Sequence, residues 1–570
     1  MTEAPARPFP WEKHYPEPVR WDIEVDERPA PAVLRDAAAQ MPDVELFDWR
    51  GMRLTYAQFV KLVGQAASAF KAMGLKRGQC IALHLPNHVH HPVMFFGALA
   101  AGLRVAHLSP LDAILEIEHK LTDAEAQLLV TIDIPDLQAK AERALAEGYV
   151  PRLVVCDDAR FGDAGLPKAD APADPRAMSL DAFLAGAATD ALPPASEDPG
   201  IDDIALLQYT GGTTGLPKGA MLTHRNLMGA AAIFERWTES YPDLPEGERD
   251  VVLLLLPLFH IYALCVVLLR QVRSGGLIAL RMRFDPQAVV DDIEKLRVTY
   301  FPGVPTMWTA IGALPDLAER DLSSLRAIGS GGAPQPNAVA RTITEAIGIP
   351  LLGGWGMSET AAAGTSIPEW GLKHKLGTIG VPLPGIEMRV VDQDEPTRVL
   401  APGEVGEIAV RGPNVTPGYW KREDANAREF AGGFFLTGDV GKMDEDGFFY
   451  LVDRKKDLII SGGFNVYPQA VEQALHEHPA IQEAAVVGIP DEYRGESAKA
   501  FVVLKAGAEA PSLEELHEFL ADHLGRHELP RALELRDVLP KTAVGKLSRK
   551  DLRDEERAKY EAAQAADASA

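Results

Sequence analysis

The amino-acid sequence predicts an α/β protein: a large, multi-lobed N-terminal domain of mixed and parallel sheets flanked by helices, and a small α+β C-terminal domain. Three observations carry this expectation. The chain has 570 residues, well beyond the roughly 250–300 at which a single core stops growing. From residue 46 to about 350, short apolar runs alternate with helical patterns, as in "CIALHLP" (80–86) followed by "HPVMFFGALAAG" (91–102), the signature of parallel strands joined by helices. Beyond residue 400 the pattern changes. "GEVGEIAVRGPNVTPGYW" (403–420) and "GFFYLVDRKKDLIISGGFNVYP" (447–468) are glycine-punctuated, β-branched runs of the antiparallel kind, and a compact α+β pattern follows.

Taken in order, "RLVVCDD" (152–158) and "VTYFPGVP" (298–305) read as further strands ending in turns. The Ala-, Pro- and Asp-dense stretch 164–200 reads as a solvated loop. "VVLLLLPLFHIYALCVVLL" (251–269) has the length of a membrane-spanning segment, but Pro257 and His260 interrupt it, so a buried strand, a turn and a buried helix are expected. The change of pattern places a domain boundary at Arg454 to Asp457, dividing the chain into 1–455 and 456–570. No internal repeat is evident.

Composition narrows the class. A hydrophobic share of 46% with 24% charged residues is that of an ordinary globular protein. Cys80, Cys156 and Cys265 are scattered, without the spacing of a zinc site or a disulfide framework. The opening residues lack a basic stretch followed by an apolar one, so no signal peptide and a cytoplasmic location are expected. A formal net charge of −25 argues against nucleic acid as a partner. It leaves small anionic ligands open, because charges beyond roughly 8 Å are screened at physiological salt and nearby cations decide.

Five motifs carry chemistry. In "YTGGTTGLPKG" (209–219), glycines allow close backbone approach while Thr210, Thr213, Thr214 and Lys218 supply hydroxyls and a charge, a composition suited to a polyphosphate. The loop looks as though it runs into a helix. It lacks the Gly-Lys-Ser/Thr ending of a Walker loop, since Pro217 precedes Lys218. "GGWGMSET" (353–360) offers the Trp355 indole as a stacking surface beside Gly356, and the Glu359 carboxylate as a ligand for a hard cation. "GSGGAPQP" (329–336) is a strand end whose backbone can wall a planar ligand. "FFLTGDV" (434–440) and "VDRKKD" (452–457) present Asp439 and Arg454, and an acidic residue bonding ribose hydroxyls is a recurring nucleotide device. "LPKTAVGKLSRK" (539–550) sets Lys546 in a polar segment near the chain end.

The order of these motifs resembles that of the adenylate-forming acyl-CoA synthetases, the superfamily that also holds firefly luciferase and the adenylation domains of peptide synthetases. The resemblance runs from "LTYAQF" (54–59) to "PKTAVGK" (540–546), and "WEKHYPEPV", "VDRKKDLIISGGFNVYPQAVEQAL" and "VVGIPDEYRGESAKAFVVLK" are most similar to bacterial medium- and long-chain fatty acyl-CoA ligases. It implies a small β-barrel-like lobe, a mobile C-terminal domain, and a two-step reaction using ATP, Mg²⁺ and coenzyme A: a carboxylate attacks the α-phosphate to give acyl-AMP and pyrophosphate, then the CoA thiol displaces AMP. By the same resemblance Thr210, Thr213, Thr214 and Lys218 hold the β- and γ-phosphates, Glu359 ligates Mg²⁺ and Thr360 touches the α-phosphate. Gly332, Ala333, Pro334 and Trp355 frame the adenine, and Asp439 with Arg454 fix the ribose. Lys546 bridges carboxylate and phosphate oxygens, Lys456 is the hinge, Gly462 and Gly463 line the pantetheine tunnel, and His260 stands at the gate between acyl and thiol sites. Two departures stand out. Trp355 takes a place usually held by Tyr or Phe, and Gly462 stands where some aryl-CoA ligases carry lysine, which favours the fatty-acyl branch. The resemblance extends to reversible acylation of Lys546 by a lysine acyltransferase and deacylase, and is compatible with peripheral membrane association and a homodimer. The rival readings are an aryl- or dicarboxylate-CoA ligase, an acyl-AMP ligase serving a carrier protein, a P-loop NTPase, and a non-catalytic nucleotide- or fatty-acid-binding relative.

Overall fold

The computed structural model describes residues 8–210, 217–333, 335, 337–454, 457–461, 464–491, 494–521, 524–525, 528–542 and 547–567. Thr213, Thr214, Pro334, Lys456, Gly462, Gly463 and Lys546 of the residues named above lie outside them.

Four sheets organise the chain. The seven-stranded sheet runs, in spatial order, Ala177–Ser179, Leu153–Cys156, Ala126–Ile132, Cys80–Leu83, Arg104–His107, Ile204–Thr210 and Lys218–Thr223. All its pairs are parallel except the last. Every residue of Cys80–Leu83 and Leu153–Cys156 is buried, which is why these strands read as continuous apolar runs with no alternation. The helix His90–Ala100 is also buried all round. Its Gly97 lets it approach the helix Tyr56–Ala72, because a Cβ there would stand 2.7 Å from that of Ala66.

The nine-stranded sheet has a parallel centre, Leu351–Trp355, Ala327–Ser330, Tyr300–Gly303, Val251–Leu254, Leu277–Leu280 and Glu45–Trp49, with antiparallel strands at both edges. The long apolar stretch is divided as its proline and histidine predict. Val251–Leu254 is a central strand, and Ala263–Leu269 is a π-helix, buried at every residue, that continues into the α-helix Arg270–Ser274. No helix among the described residues is long and apolar enough to cross a membrane.

Two expectations need correction. Within 164–200, read as loop throughout, Ala177–Ser179 adds an edge strand and Leu180–Ala185 forms a short helix. The Ser179 hydroxyl caps it by accepting from the Ala182 N–H, and Phe183 is buried with its ring 5.0 Å from that of Phe70. Three apolar anchors and one cap outweigh the surrounding polar composition. The stretch 209–226 does run into a helix, but only after a strand that its pattern did not suggest. Lys218–Thr223 returns antiparallel to Ile204–Thr210, and the helix starts only at His224, after a Thr223–Asn226 capping box.

The five-stranded antiparallel sheet holds Glu387–Val391, Gly406–Arg411, Phe434–Met443, Phe430–Ala431 and Phe449–Arg454. A further sheet, Phe464–Val466, Ile459–Ser461, Gly495–Leu504, Ile481–Asp491 and Ala532–Leu535, packs with the helix Pro468–His476 around its own apolar core, including Val471, Leu475, Val486 and Leu516. Asp453, near the end of the preceding sheet, accepts from the Gln469 N–H at 2.9 Å and from Arg549 Nη1 at 3.2 Å.

Candidate active site

A single cleft of about 2150 Å³ is lined by residues from all four sheets. It is larger than the roughly 300–1,000 Å³ typical of a site for one small ligand. Most predicted site residues within the described set meet here: Thr210, Lys218, His260, Gly332, Ala333, Trp355, Gly356, Glu359 and Asp439. Thr360 lies directly behind, fully buried. Arg454 is brought close in register, its Cα opposite that of Asp439 in the antiparallel pair.

The backbone explains the convergence. The Ile204–Thr210/Lys218–Thr223 hairpin carries Thr210 and Lys218 at paired positions. On its other side the Met221 N–H donates to the Gly418 carbonyl at 2.9 Å and the Trp420 N–H to that of Gly219 at 2.8 Å, which presses Tyr419 against the loop. The same segment holds the acidic turn. Asn414 Nδ2 donates to the Thr360 and Ala363 carbonyls at 2.6 and 2.8 Å, and the Thr416 N–H to the Glu359 carbonyl at 2.7 Å. Behind the turn, Ala361 and Ala362 have φ of 47° and 69°, left-handed values that are unfavourable for residues with a Cβ and that concentrate at functional sites.

Glu359, Lys218 and Asp439 each have a partner that also lines the cleft. Tyr419 Oη donates to Glu359 Oε1 at 2.7 Å. Burial, with the Glu359 and Glu429 carboxylates nearby, pushes the phenol well above its ordinary range, so it stays a donor. Lys218 Nζ lies 2.6 Å from Glu429 Oε1 and 4.4 Å from the Tyr419 ring centroid. Trp355 Nε1 donates to Asp439 Oδ2 at 2.7 Å. Its indole is held in place by Gly364, where a Cβ would stand 2.4 Å from the ring. Thus the proposed stacking ring and the proposed ribose carboxylate form one unit. At the other end of the cleft, His260 Nδ1 accepts from the Tyr262 N–H at 3.2 Å, and Phe234, Trp237, Tyr241, Val266 and Tyr300 line a largely apolar wall. Thr542 and Leu547, which flank the segment carrying Lys546, line the cleft as well.

Sequence reasoning missed Tyr419, Glu429 and Asn414. The signal for two of them was present in "NVTPGYW", where Asn, Thr and Gly interrupt a strand pattern with turn chemistry. Glu429 carries no such signal, since a carboxylate after the short charged helix Glu423–Arg428 reads as a solvated surface. Among the described residues no group of three or more His, Cys, Asp or Glu side chains is arranged to hold a metal ion. Glu359 alone suits a cation that takes one protein carboxylate and completes its shell with phosphate oxygens and water.

Comparison with known proteins agrees with this geometry. The family model described as AMP-binding enzyme matches residues 34–420, and that described as AMP-binding enzyme C-terminal domain matches 470–546. A long-chain-fatty-acid–CoA ligase of Bacillus subtilis (strain 168) is 37% identical over 96% of this chain and 98% of that protein. A feruloyl-CoA synthase of an Amycolatopsis species is 38% identical over 88% of this chain and 94% of that protein. Among solved structures, ATP-bound MatB from Rhodopseudomonas palustris superposes with a TM-score of 0.80 at 29% identity, covering 92% of this chain and 99% of that one.

Proposed function

This chain belongs to the AMP-binding enzyme family and is an AMP-forming acyl-CoA synthetase; on that premise we propose that its acid is a medium- or long-chain fatty acid and that the cleft residues divide the two half-reactions as follows. A carboxylate must approach a polyanion, so positioned cations and donors supply most of the rate. Thr210 and Lys218, with Thr213 and Thr214 of the same loop, hold the β- and γ-phosphates. Trp355, Gly332, Ala333 and Pro334 frame the adenine, while Asp439 and Arg454 take the ribose hydroxyls. Glu359 holds Mg²⁺, which when bound neutralises phosphate charge, and Tyr419 orients that carboxylate. Thr360 meets the α-phosphate. Lys546 reaches the carboxylate and α-phosphate oxygens from the C-terminal side.

The observation that carries this reading is the convergence of the loop lysine, the Glu359 turn, the Trp355–Asp439 unit and both flanks of the Lys546 segment in one cleft. For the second step the C-terminal unit rotates about Lys456 and exchanges Lys546 for Gly462 and Gly463, opening a thiol path beside His260. Arg549 supports a hinge at this place, since it pairs with Asp453 and Asp457, on either side of Lys456, and with Glu472. The aromatic and aliphatic wall of Phe234, Trp237 and Val266 favours an apolar acyl chain. A second reading, an aryl acid, draws on the ring-rich character of the same wall, with Tyr241, Tyr262 and Tyr300, and on the feruloyl-CoA synthase relative.

A panel of acids of graded length, with cinnamic-type acids alongside, tests the proposal through AMP and pyrophosphate release in the presence of CoA. The fatty-acid reading expects kcat/KM to rise with chain length, since each methylene contributes on the order of 1 kcal/mol in a fitting pocket. A preference for the cinnamic-type acids selects the second reading.

A further inference from the structure

We propose that Glu429 is a positioning residue for pyrophosphate: it holds Lys218 when the phosphate loop is empty, yields it to the incoming β- and γ-phosphates, and draws it back as pyrophosphate leaves. This rests on the assignment of Lys218 to those phosphates. The geometry has three parts. Lys218 Nζ and Glu429 Oε1 stand 2.6 Å apart. The ammonium also sits 4.4 Å from the Tyr419 ring centroid, and the Tyr419 hydroxyl donates to Glu359, so the lysine is seated on the residue that orients the acidic turn. Both partners are cleft-lining and only partly covered, with side-chain exposures of 34% and 29%. A pair in that setting is weak enough to be exchanged, contributing about 1 kcal/mol or less.

Exchange follows from charge. A polyphosphate offers the ammonium more negative charge than one carboxylate does, so ATP displaces Glu429 as the partner of Lys218. Displacement takes the cation away from the Glu429 carboxylate, which then stands beside the phosphates, where like charges repel. That repulsion weakens ATP binding and pyrophosphate binding alike. ATP is further anchored through its adenosine end, an anchor that free pyrophosphate lacks. Glu429 therefore speeds release of a leaving group that has no other anchor, while ATP keeps its adenosine contacts. Lys218 is set by the strand pairing of its backbone and Glu429 follows the helix Glu423–Arg428, so each end of the exchange is carried by a separate element.

The test uses full-length enzyme with Glu429→Gln, which keeps the shape and removes the charge, and Glu429→Asp, which keeps the charge on a shorter stem. Glu429→Gln is expected to lower the KM for ATP and the inhibition constant of added pyrophosphate, each by about fivefold, the scale of one partly exposed ion pair. The KM for the acid should stay unchanged, and Glu429→Asp should restore part of the wild-type values. A merely structural role would not tighten binding of two phosphate ligands while sparing the acid. If Glu429→Gln leaves both constants unchanged or raises them, while Lys218→Ala raises both, the exchange is overturned and the phosphate role of Lys218 stands. If Lys218→Ala changes neither constant, that role fails and the exchange fails with it.

Discussion

In the cleft, Trp355 donates to Asp439, Tyr419 to Glu359 and Lys218 to Glu429. At the C-terminal ends of Cys80–Leu83 and Arg104–His107 the handling of polar groups is different. His84, His91 and His107 are buried there, the His91 and His107 rings 4.9 Å apart, and neither ring nitrogen of His91 has a hydrogen-bond partner among the described residues. The contrast follows from what each group does with its proton. Lysines and carboxylates as a class titrate far from neutral pH and need a partner when covered, whereas a histidine escapes the penalty of burial by becoming neutral. Burial lowers His84 to about 3 and His107 to about 4, and holds His91 well below 6.5. The cleft thus holds the pairs that the proposed exchange with phosphate ligands would break, while the buried histidines are core whose polarity shows itself only in acid.

Four experiments probe this contrast between cleft and buried histidines. The largest effect is expected at Lys546, proposed as a cation supplied to the cleft from the C-terminal unit. Lys546→Ala should reduce acyl-AMP formation by about 10² or more, with thioester formation from supplied acyl-AMP retained. Equal loss in both half-reactions would sink the proposed division of labour between C-terminal faces.

Next is the acid sensitivity of the histidine cluster. Its folded-state pKa values lie below the unfolded value near 6.5, so the unfolded chain binds more protons between about pH 6.5 and 4. Stability from these groups is therefore fully present above pH 6.5 and is lost as pH falls towards 4, by roughly 1–2 kcal/mol per histidine between pH 7 and pH 5. Denaturant midpoints at the two pH values measure it, and His91→Phe should flatten the dependence. A flat profile in the wild type would show that the cluster is not held neutral.

Tyr419→Phe removes the donor to Glu359 and should raise the Mg²⁺ concentration needed for half-maximal rate about tenfold, the lower end for losing an outer partner of a metal ligand. An unchanged Mg²⁺ dependence would detach Tyr419 from the metal. The smallest effect is expected for Trp355→Phe, which keeps a stacking ring but removes the N–H to Asp439. A rise in the KM for ATP of about fivefold with kcat unchanged matches the loss of one hydrogen bond contributing about 1 kcal/mol. A fall in kcat instead would give the indole a part in the chemistry.

Much of the cleft was legible from local pattern. Lys218 lies in a stretch whose glycine and threonine density exceeds what a turn requires, Trp355 and Glu359 in a glycine-bounded loop, and Asp439 at the end of an apolar run, and each lines the cleft. The short helix Leu180–Ala185 was not legible, because three apolar residues in a run of Ala, Pro and Asp fall below any periodicity signal. Nor was the strand Lys218–Thr223, since "KGAMLT" becomes a strand only when Ile204–Thr210 on one side and Gly418–Trp420 on the other satisfy its backbone groups.

By itself, then, the sequence determined which residue types gather in glycine-bounded loops, how the long apolar stretch divides at Pro257 and His260, and the order of motifs that marks the family. Those are local properties, set by backbone freedom, periodicity and hydrophobic length. Which charge faces which was decided only by the tertiary structure. Glu429 lies more than two hundred residues from Lys218 along the chain, and Asp439 more than eighty from Trp355. No local rule relates such positions, because their pairing depends on how separate sheets pack around a common cleft.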